Sequence, residues 1–196
     1  MRRLVLATRN KGKVTELKEL LADLAFEIVD LSYYSDLPEI IEDGGTFVDN
    51  AIIKAKAVAE YTGELSLADD SGLEVDLLNG EPGVYSARYG NPEWNDRERY
   101  QYLLKKLADY KDTRKTARFR CVMALYEPQS KQVEIAEGAV EGEIVEPRGN
   151  HGFGYDPVFY IPELGKTMAE LSEEEKNRIS HRSRAIANLK PKLAKV

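Results

Sequence analysis

Five short segments of this 196-residue chain carry residue types at spacings suited to handling a phosphate-bearing ligand. In the first, Thr8, Arg9, Asn10, Lys11, Gly12 and Lys13 stand where an apolar run gives way to a helical pattern. A helix N-terminus offers unpaired N–H groups and the positive end of a dipole, both suited to phosphate. Thr8, Asn10 and Lys13 would add side-chain donors. This is not a Walker A loop: Gly12 and Lys13 match the end of that pattern, but Ala7 replaces its first glycine and Val14 its Ser/Thr. The other reading is a polar turn with solvated lysines.

The second segment is Asp69, Asp70, Ser71 and Gly72, following a brief apolar strand at 65–68. Carboxylates at a strand's C-terminal end can hold Mg²⁺ and orient or deprotonate a water, although one such Asp often only caps a turn. Glu42, with Asp43 and Gly44, reads by itself as a turn and could supply a further carboxylate to the same ion. The third is Lys54. At about 100° per residue, Phe47, Ala51, Ala55 and Val58 share one helix face, and Lys54 falls within about 20° of its centre. Such a lysine either snorkels outward or points at negative charge.

The fourth runs from Gly149 to Pro157, where Gly149, Gly152 and Gly154 let backbone approach a ligand closely. Phe153 and Tyr155 could stack on a nucleobase, with Asp156 beside them, or the segment is a hairpin loop with structural aromatics. The fifth is Lys176 to Arg182, with Ser180 as a helix N-cap and His181 and Arg182 in the first turn, where Arg donors suit a carbonyl or phosphate oxygen. A His-Arg pair by itself is ordinary surface.

The elements that must position these residues alternate between strand and helix. An apolar strand at 3–8, a helix bearing Val14, Leu17, Leu21 and Leu24 on one face, and a strand at 26–31 make a β-α-β unit. Thr46 to Asp49 forms a capping box, with Asp in the usual Glu place, opening a helix to about Tyr61. Beyond the strand at 65–68, residues 73–77 continue extended, 80–92 form a loop, and 95–107 carry charge on a helical period. Strands at 116–126 and 133–140 pair antiparallel across a turn. A short helix is expected near 168–171, and a last one at 180–193 that Pro191 kinks or ends early. The class is mixed α/β.

Composition narrows the chemistry. Hydrophobic residues make up 42% and charged ones 32%, which fits a folded water-soluble chain. A net charge of −6 removes the basic field that duplex DNA or an anionic membrane would need. Cys121 is the only cysteine and His151 and His181 the only histidines, so a metal here must take carboxylates and be Mg²⁺-like. No stretch suits a signal or membrane-spanning segment, so a cytoplasmic protein is expected.

In this order the segments resemble the inosine triphosphate pyrophosphatase family, also called the dITP/XTP pyrophosphatases, over residues 4–193. The resemblance rests on Thr8-x-Asn10-x-Gly12-Lys13, Thr46-Phe47-x-x-Asn50-Ala51-x-x-Lys54, Ala68-Asp69-Asp70-Ser71-Gly72, Pro82-Gly83-Val84-Tyr85-Ser86, Gly152-Phe153-Gly154-Tyr155-Asp156-Pro157 and Ser180-His181-Arg182. It implies one domain over 1–196 with a two-lobed mixed α/β fold, a long central mixed β-sheet and a nucleotide cleft between the lobes. It also implies a homodimer that uses Mg²⁺ to hydrolyse ITP, dITP and XTP to the monophosphate and pyrophosphate; the net charge already argues against a nucleic-acid or membrane partner.

Carried over by motif, Thr8, Arg9, Asn10, Lys11, Gly12 and Lys13 bind the triphosphate. Asp70 is the general base and shares the metal with Glu42, Lys54 is the helix lysine of the catalytic group, and Ser71 contacts substrate. Phe153, Gly154, Tyr155 and Asp156 form the base and sugar pocket, and Lys176, His181 and Arg182 close over the base. Ile41 stands before Glu42 where many members have a second acid. Two other readings are a Maf-like pyrophosphatase with pyrimidine preference and a nucleotide sensor without turnover.

Overall fold

The computed structural model describes residues 1–194. The chain divides into two compact units, one of residues 1–70, 121–138 and the stretch from Arg182 onward, the other of residues 71–120 and 139–181. A seven-stranded sheet runs in the order β2-β1-β3-β4-β5-β6-β7, comprising β1 (Arg2–Leu6), β2 (Phe26–Asp30), β3 (Leu65–Val75), β4 (Thr116–Glu127), β5 (Gln132–Ile144), β6 (Phe159–Ile161) and β7 (Lys166–Thr167). β1 pairs parallel with β2 and β3, while β5-β6 and β6-β7 are antiparallel, so the sheet is mixed as expected.

In the first unit, α1 (Lys11–Leu20) and α5 (His181–Leu193) supply Leu17, Leu21, Ala185, Ile186, Leu189 and Leu193 to a core shared with Leu4, Leu6, Leu65 and Leu67. Successive strand side chains leave opposite faces, so Val5, Ser66 and Ala68 turn toward the other side. There α2 (Phe47–Thr62) buries Phe47, Ala51, Ala55, Val58 and Ala59. α2 begins at the expected Thr46 cap, with the Asp49 N–H donating to the Thr46 hydroxyl, but the capping box closes only by half: the short Asp49 carboxylate accepts from the Thr46 hydroxyl in place of the backbone N–H that a longer Glu reaches. The helix ends at Gly63 in the left-handed conformation. The second unit holds α3 (Asp96–Lys106), α4 (Glu173–Ile179) and a core around Leu73, Leu103, Phe119, Val158, Phe159 and Met168.

Four local expectations change. β3 does not stop before Asp69 but continues through Asp70 and Ser71 to Val75. Its parallel pairing with β1 reaches only Leu67, however, so both carboxylates lie just past the end of the parallel pair. That is where ligands bind in open α/β sheets. α4 was not anticipated, although Ser172 and Glu175 form a full capping box at its start. α5 runs past Pro191 to Leu193, because a proline so close to the end removes one bond from the last turn only. α1 ends at Leu20, leaving Leu24 beyond it.

Candidate active site

In the first unit, the β1–α1 turn is held by its own side chains. Thr8 Oγ1 accepts from the Asn10 N–H at 3.2 Å, and Asn10 Oδ1 caps α1 by accepting from the Lys13 N–H at 3.2 Å. Thr8 and Asn10, expected as donors to phosphate, therefore act here as acceptors that shape the turn. Lys11 and Gly12 begin α1, where their N–H groups belong to the orphan set of a helix start. Arg9 reaches the other way, donating to the Leu37 carbonyl at 3.0 Å.

Lys54 is 7% exposed despite its charge. Its ammonium lies 2.8 Å from Glu42 Oε2 and 3.2 Å from Asp70 Oδ1. The odd lysine on the apolar stripe thus points at negative charge, and it brings Glu42, Lys54 and Asp70 together from a loop, a helix and a strand. Asn50, one turn before Lys54, accepts from the Gly44 N–H at 2.8 Å and pins the loop that carries Glu42. A Cβ on Gly44 would strike Asn50 Oδ1 at 2.6 Å, so this close approach needs glycine. Asn50 was part of a sequence motif without an assigned role; its full burial on a helix is the signal that it serves a polar contact.

Asp69 leaves β3 on the opposite face. Its Oδ2 receives Lys13 Nζ at 3.0 Å and Arg182 Nε at 3.3 Å. Burial pushes its carboxyl up, but Lys13, Arg182 and Lys54 outweigh that and hold it below the ordinary carboxylate range. Asp70 is shifted the other way: burial raises it, and Lys54 and Lys13 only partly offset the rise. Of the two carboxylates, Asp70 has the surroundings suited to accepting a proton. Burial would lower the Lys54 ammonium, yet Asp70, Asp69 and Glu42 raise it, so it stays charged.

The second unit gathers another group. The Asp156 carboxylate accepts from Lys176 Nζ at 2.7 Å and from the Phe153 N–H at 3.0 Å, and the same ammonium sits 4.6 Å from the Phe153 ring centroid. Gly152 packs so closely that a Cβ would lie 2.1 Å from Asp156 Oδ2. The Gly154 N–H donates to Asp96 at 2.8 Å. Phe153 is partly exposed and can stack; Tyr155, expected to do the same, is buried with its hydroxyl donating to the Ser86 carbonyl at 2.7 Å. Its ring belongs to the core that also holds Val158 and Phe159.

Asp156 is likewise buried and serves Lys176 and the loop backbone. His181, expected over a base, is buried and stacked on Phe119 with centroids 4.9 Å apart. Arg182, also expected there, is buried on Asp69 and Glu16. Ser71 is half-buried beside Asp70. Glu16 was missed, although it stands three residues after Lys13 on α1, a spacing that shares a helix face.

Glu42 and Asp70 suit a Mg²⁺ ion. Asp70 Oδ2 is buried and has no hydrogen-bond partner among the described residues. Mg²⁺ typically takes one or two protein carboxylates and completes its shell with water and phosphate oxygens.

Known proteins resemble the chain over nearly its whole length. A model describing the Ham1 family matches residues 4–192. A dITP/XTP pyrophosphatase of Desulforamulus reducens is 53% identical over 185 residues, covering 94% of this chain and 92% of that protein. One from Shouchella clausii is 50% identical over 191 residues, covering 97% and 96%. The solved structure of a HAM1 protein from Coxiella burnetii superposes with a TM-score of 0.90 at 46% identity, over 100% of both chains.

Proposed function

The chain belongs to the Ham1 family, and from that premise we propose that it hydrolyses non-standard purine nucleoside triphosphates (dITP, XTP and ITP) to the monophosphate and pyrophosphate. One observation carries the site assignment: a buried lysine, Lys54, holds Glu42 and Asp70 within 3.2 Å. Glu42 and Asp70 would hold a Mg²⁺ ion, which when bound offsets triphosphate charge.

Asp70, with its raised pKa, takes the proton of the water that attacks the α-phosphorus. The ammonium groups of Lys13 and Lys54, with the N–H groups at the start of α1, stabilise charge developing on the departing pyrophosphate. Ser71 contacts the substrate beside them. Phe153 stacks on the base. The Lys176 ammonium, buried on Asp156, is a donor with no acceptor capacity, so it meets a 6-oxo purine and clashes with the 6-amino group of adenine. Burying donors against donors costs roughly 1–3 kcal/mol each, enough for substantial selectivity. The same reading takes the protein as a cytoplasmic homodimer; sedimentation velocity tests the oligomer.

The test is product analysis with Mg²⁺ and, separately, ITP, XTP, ATP, GTP and dTTP. Monophosphate and pyrophosphate from ITP and XTP, with ATP nearly untouched, is the expected result; GTP shares the 6-oxo group, so its turnover reports separately on how the 2-position is read. Orthophosphate release, or turnover led by dTTP, overturns it; tight ITP binding without product supports a sensor instead.

A further inference from the structure

On the face of β3 turned toward α1 and α5, four ionisable side chains form one cluster. Asp69 Oδ2 receives Lys13 Nζ at 3.0 Å and the Arg182 guanidinium, through Nε and Nη2, at 3.3 Å each. The same guanidinium donates through Nη1 to Glu16 Oε2. Two cations therefore converge on one carboxylate oxygen, and Glu16 supplies the second negative charge that brings these four groups to zero.

Charges in so buried a setting interact strongly. Without the Glu16 carboxylate, guanidinium and ammonium would compete for Asp69. The loser would be Lys13, whose side chain is 16% exposed against 2% for Arg182. Lys13 is the third residue of α1 and Glu16 lies on the same helix, so the cluster ties the phosphate-facing start of that helix to β3.

We propose that Glu16 is a positioning residue for phosphate binding: by neutralising Arg182 it leaves Asp69 able to seat the Lys13 ammonium at the start of α1. This rests on the reading of Lys13 as a triphosphate ligand. Glu16 itself touches no substrate and acts through Arg182 and Asp69. Its effect is distinguishable in sign from plain electrostatics. Deleting a carboxylate near an anion site would by charge alone tighten anion binding, whereas losing the seat of Lys13 weakens it.

The experiment is a double-mutant cycle read by calorimetric affinity for inorganic pyrophosphate in Mg²⁺ buffer, with thermal melts of every variant. Glu16→Gln is expected to weaken binding about tenfold in the wild-type background and by less than about twofold in a Lys13→Met background. Glu16→Asp, which keeps the charge, should recover affinity to within about threefold. Unchanged or tighter binding by Glu16→Gln, an equal effect in both backgrounds, or no pyrophosphate binding by the wild type overturns the proposal. Glu16→Met serves if Glu16→Gln does not fold, and failure of both to fold makes Glu16 a structural residue and overturns it too. ITP turnover by the wild type is measured alongside. No turnover sinks the pyrophosphatase reading while the affinity cycle still decides this one; turnover with an additive cycle sinks this one alone.

Discussion

Asp69 and Asp70 are neighbours in β3 whose carboxylates leave opposite faces of the strand, one onto Lys13 and Arg182, the other onto Lys54. The pleat alone separates them. Burial pushes both carboxyls up; at Asp69 the ion-paired Lys13 and Arg182 outweigh it, whereas at Asp70 Lys54, shared with Glu42, and Lys13 do not, so the two pKa values move in opposite directions.

Asp70→Asn should remove turnover by roughly 10²–10⁴-fold, the usual worth of a general base, without lowering the melting temperature. The sign follows from the raised pKa. A carboxyl whose pKa is raised by folding loses stability as pH climbs above its unfolded value near 3.9, so at pH 7 ionised Asp70 opposes folding and a neutral amide does not. Pyrophosphate release and a thermal melt at pH 7 check both halves; a melting point falling by more than a few degrees would contradict the assignment.

Asp69→Asn should do the reverse. It leaves the buried Arg182 and the partly buried Lys13 without this counter-charge, which costs roughly 3–5 kcal/mol and lowers the melting temperature by on the order of 10 °C. Because the native pKa of Asp69 is depressed, its contribution is present above pH 4 and fades only in strong acid. The gap between wild-type and variant melts should therefore stay constant from pH 5 to pH 8.

Lys54→Met should lower turnover about a hundredfold or more and destabilise the protein in a pH-dependent way. Glu42 and Asp70 would face each other without the ammonium, and burial would push Asp70 further up. Protonation at low pH relieves that, so the stability deficit at pH 8 should shrink toward pH 5. A deficit that grows on acidification would mean that Lys54 is not the partner of these carboxylates.

Gly152→Ala should act on the other cluster. The residue has φ of +73° and its Cβ would fall 2.1 Å from Asp156 Oδ2. The left-handed conformation alone costs roughly 1–2 kcal/mol, and Asp156 must shift off Lys176 and the Phe153 N–H. Steady-state kinetics with ITP should show KM rising about tenfold with kcat within about threefold, the pattern of lost ground-state binding. A fall in kcat at unchanged KM would argue that this loop serves chemistry instead of base binding.

Much of the candidate site was legible because its signals are local. Lys54 on an apolar helix stripe, the Thr46 cap and the glycines around Phe153 are read from period and from backbone requirement, and these depend only on neighbours in the chain. The Ser172 cap of α4 was equally local and was overlooked. The end of β3 was misread for a different reason: two adjacent aspartates look like a turn, and only strand pairing across the sheet can carry an apolar strand through them.

By itself, the sequence determined the mixed α/β class, the β-α-β opening, the helix that bears Lys54 and the residue types available for phosphate chemistry. Tertiary structure decided which groups meet. That Asp69 goes to Lys13 and Arg182 while Asp70 goes to Lys54, that Tyr155 is core and Phe153 accessible, and that Glu16 joins the cluster at all, are consequences of packing between residues up to 166 positions apart. Burial and charge partners set the role of an ionisable group, and neither is a property of the segment that contains it.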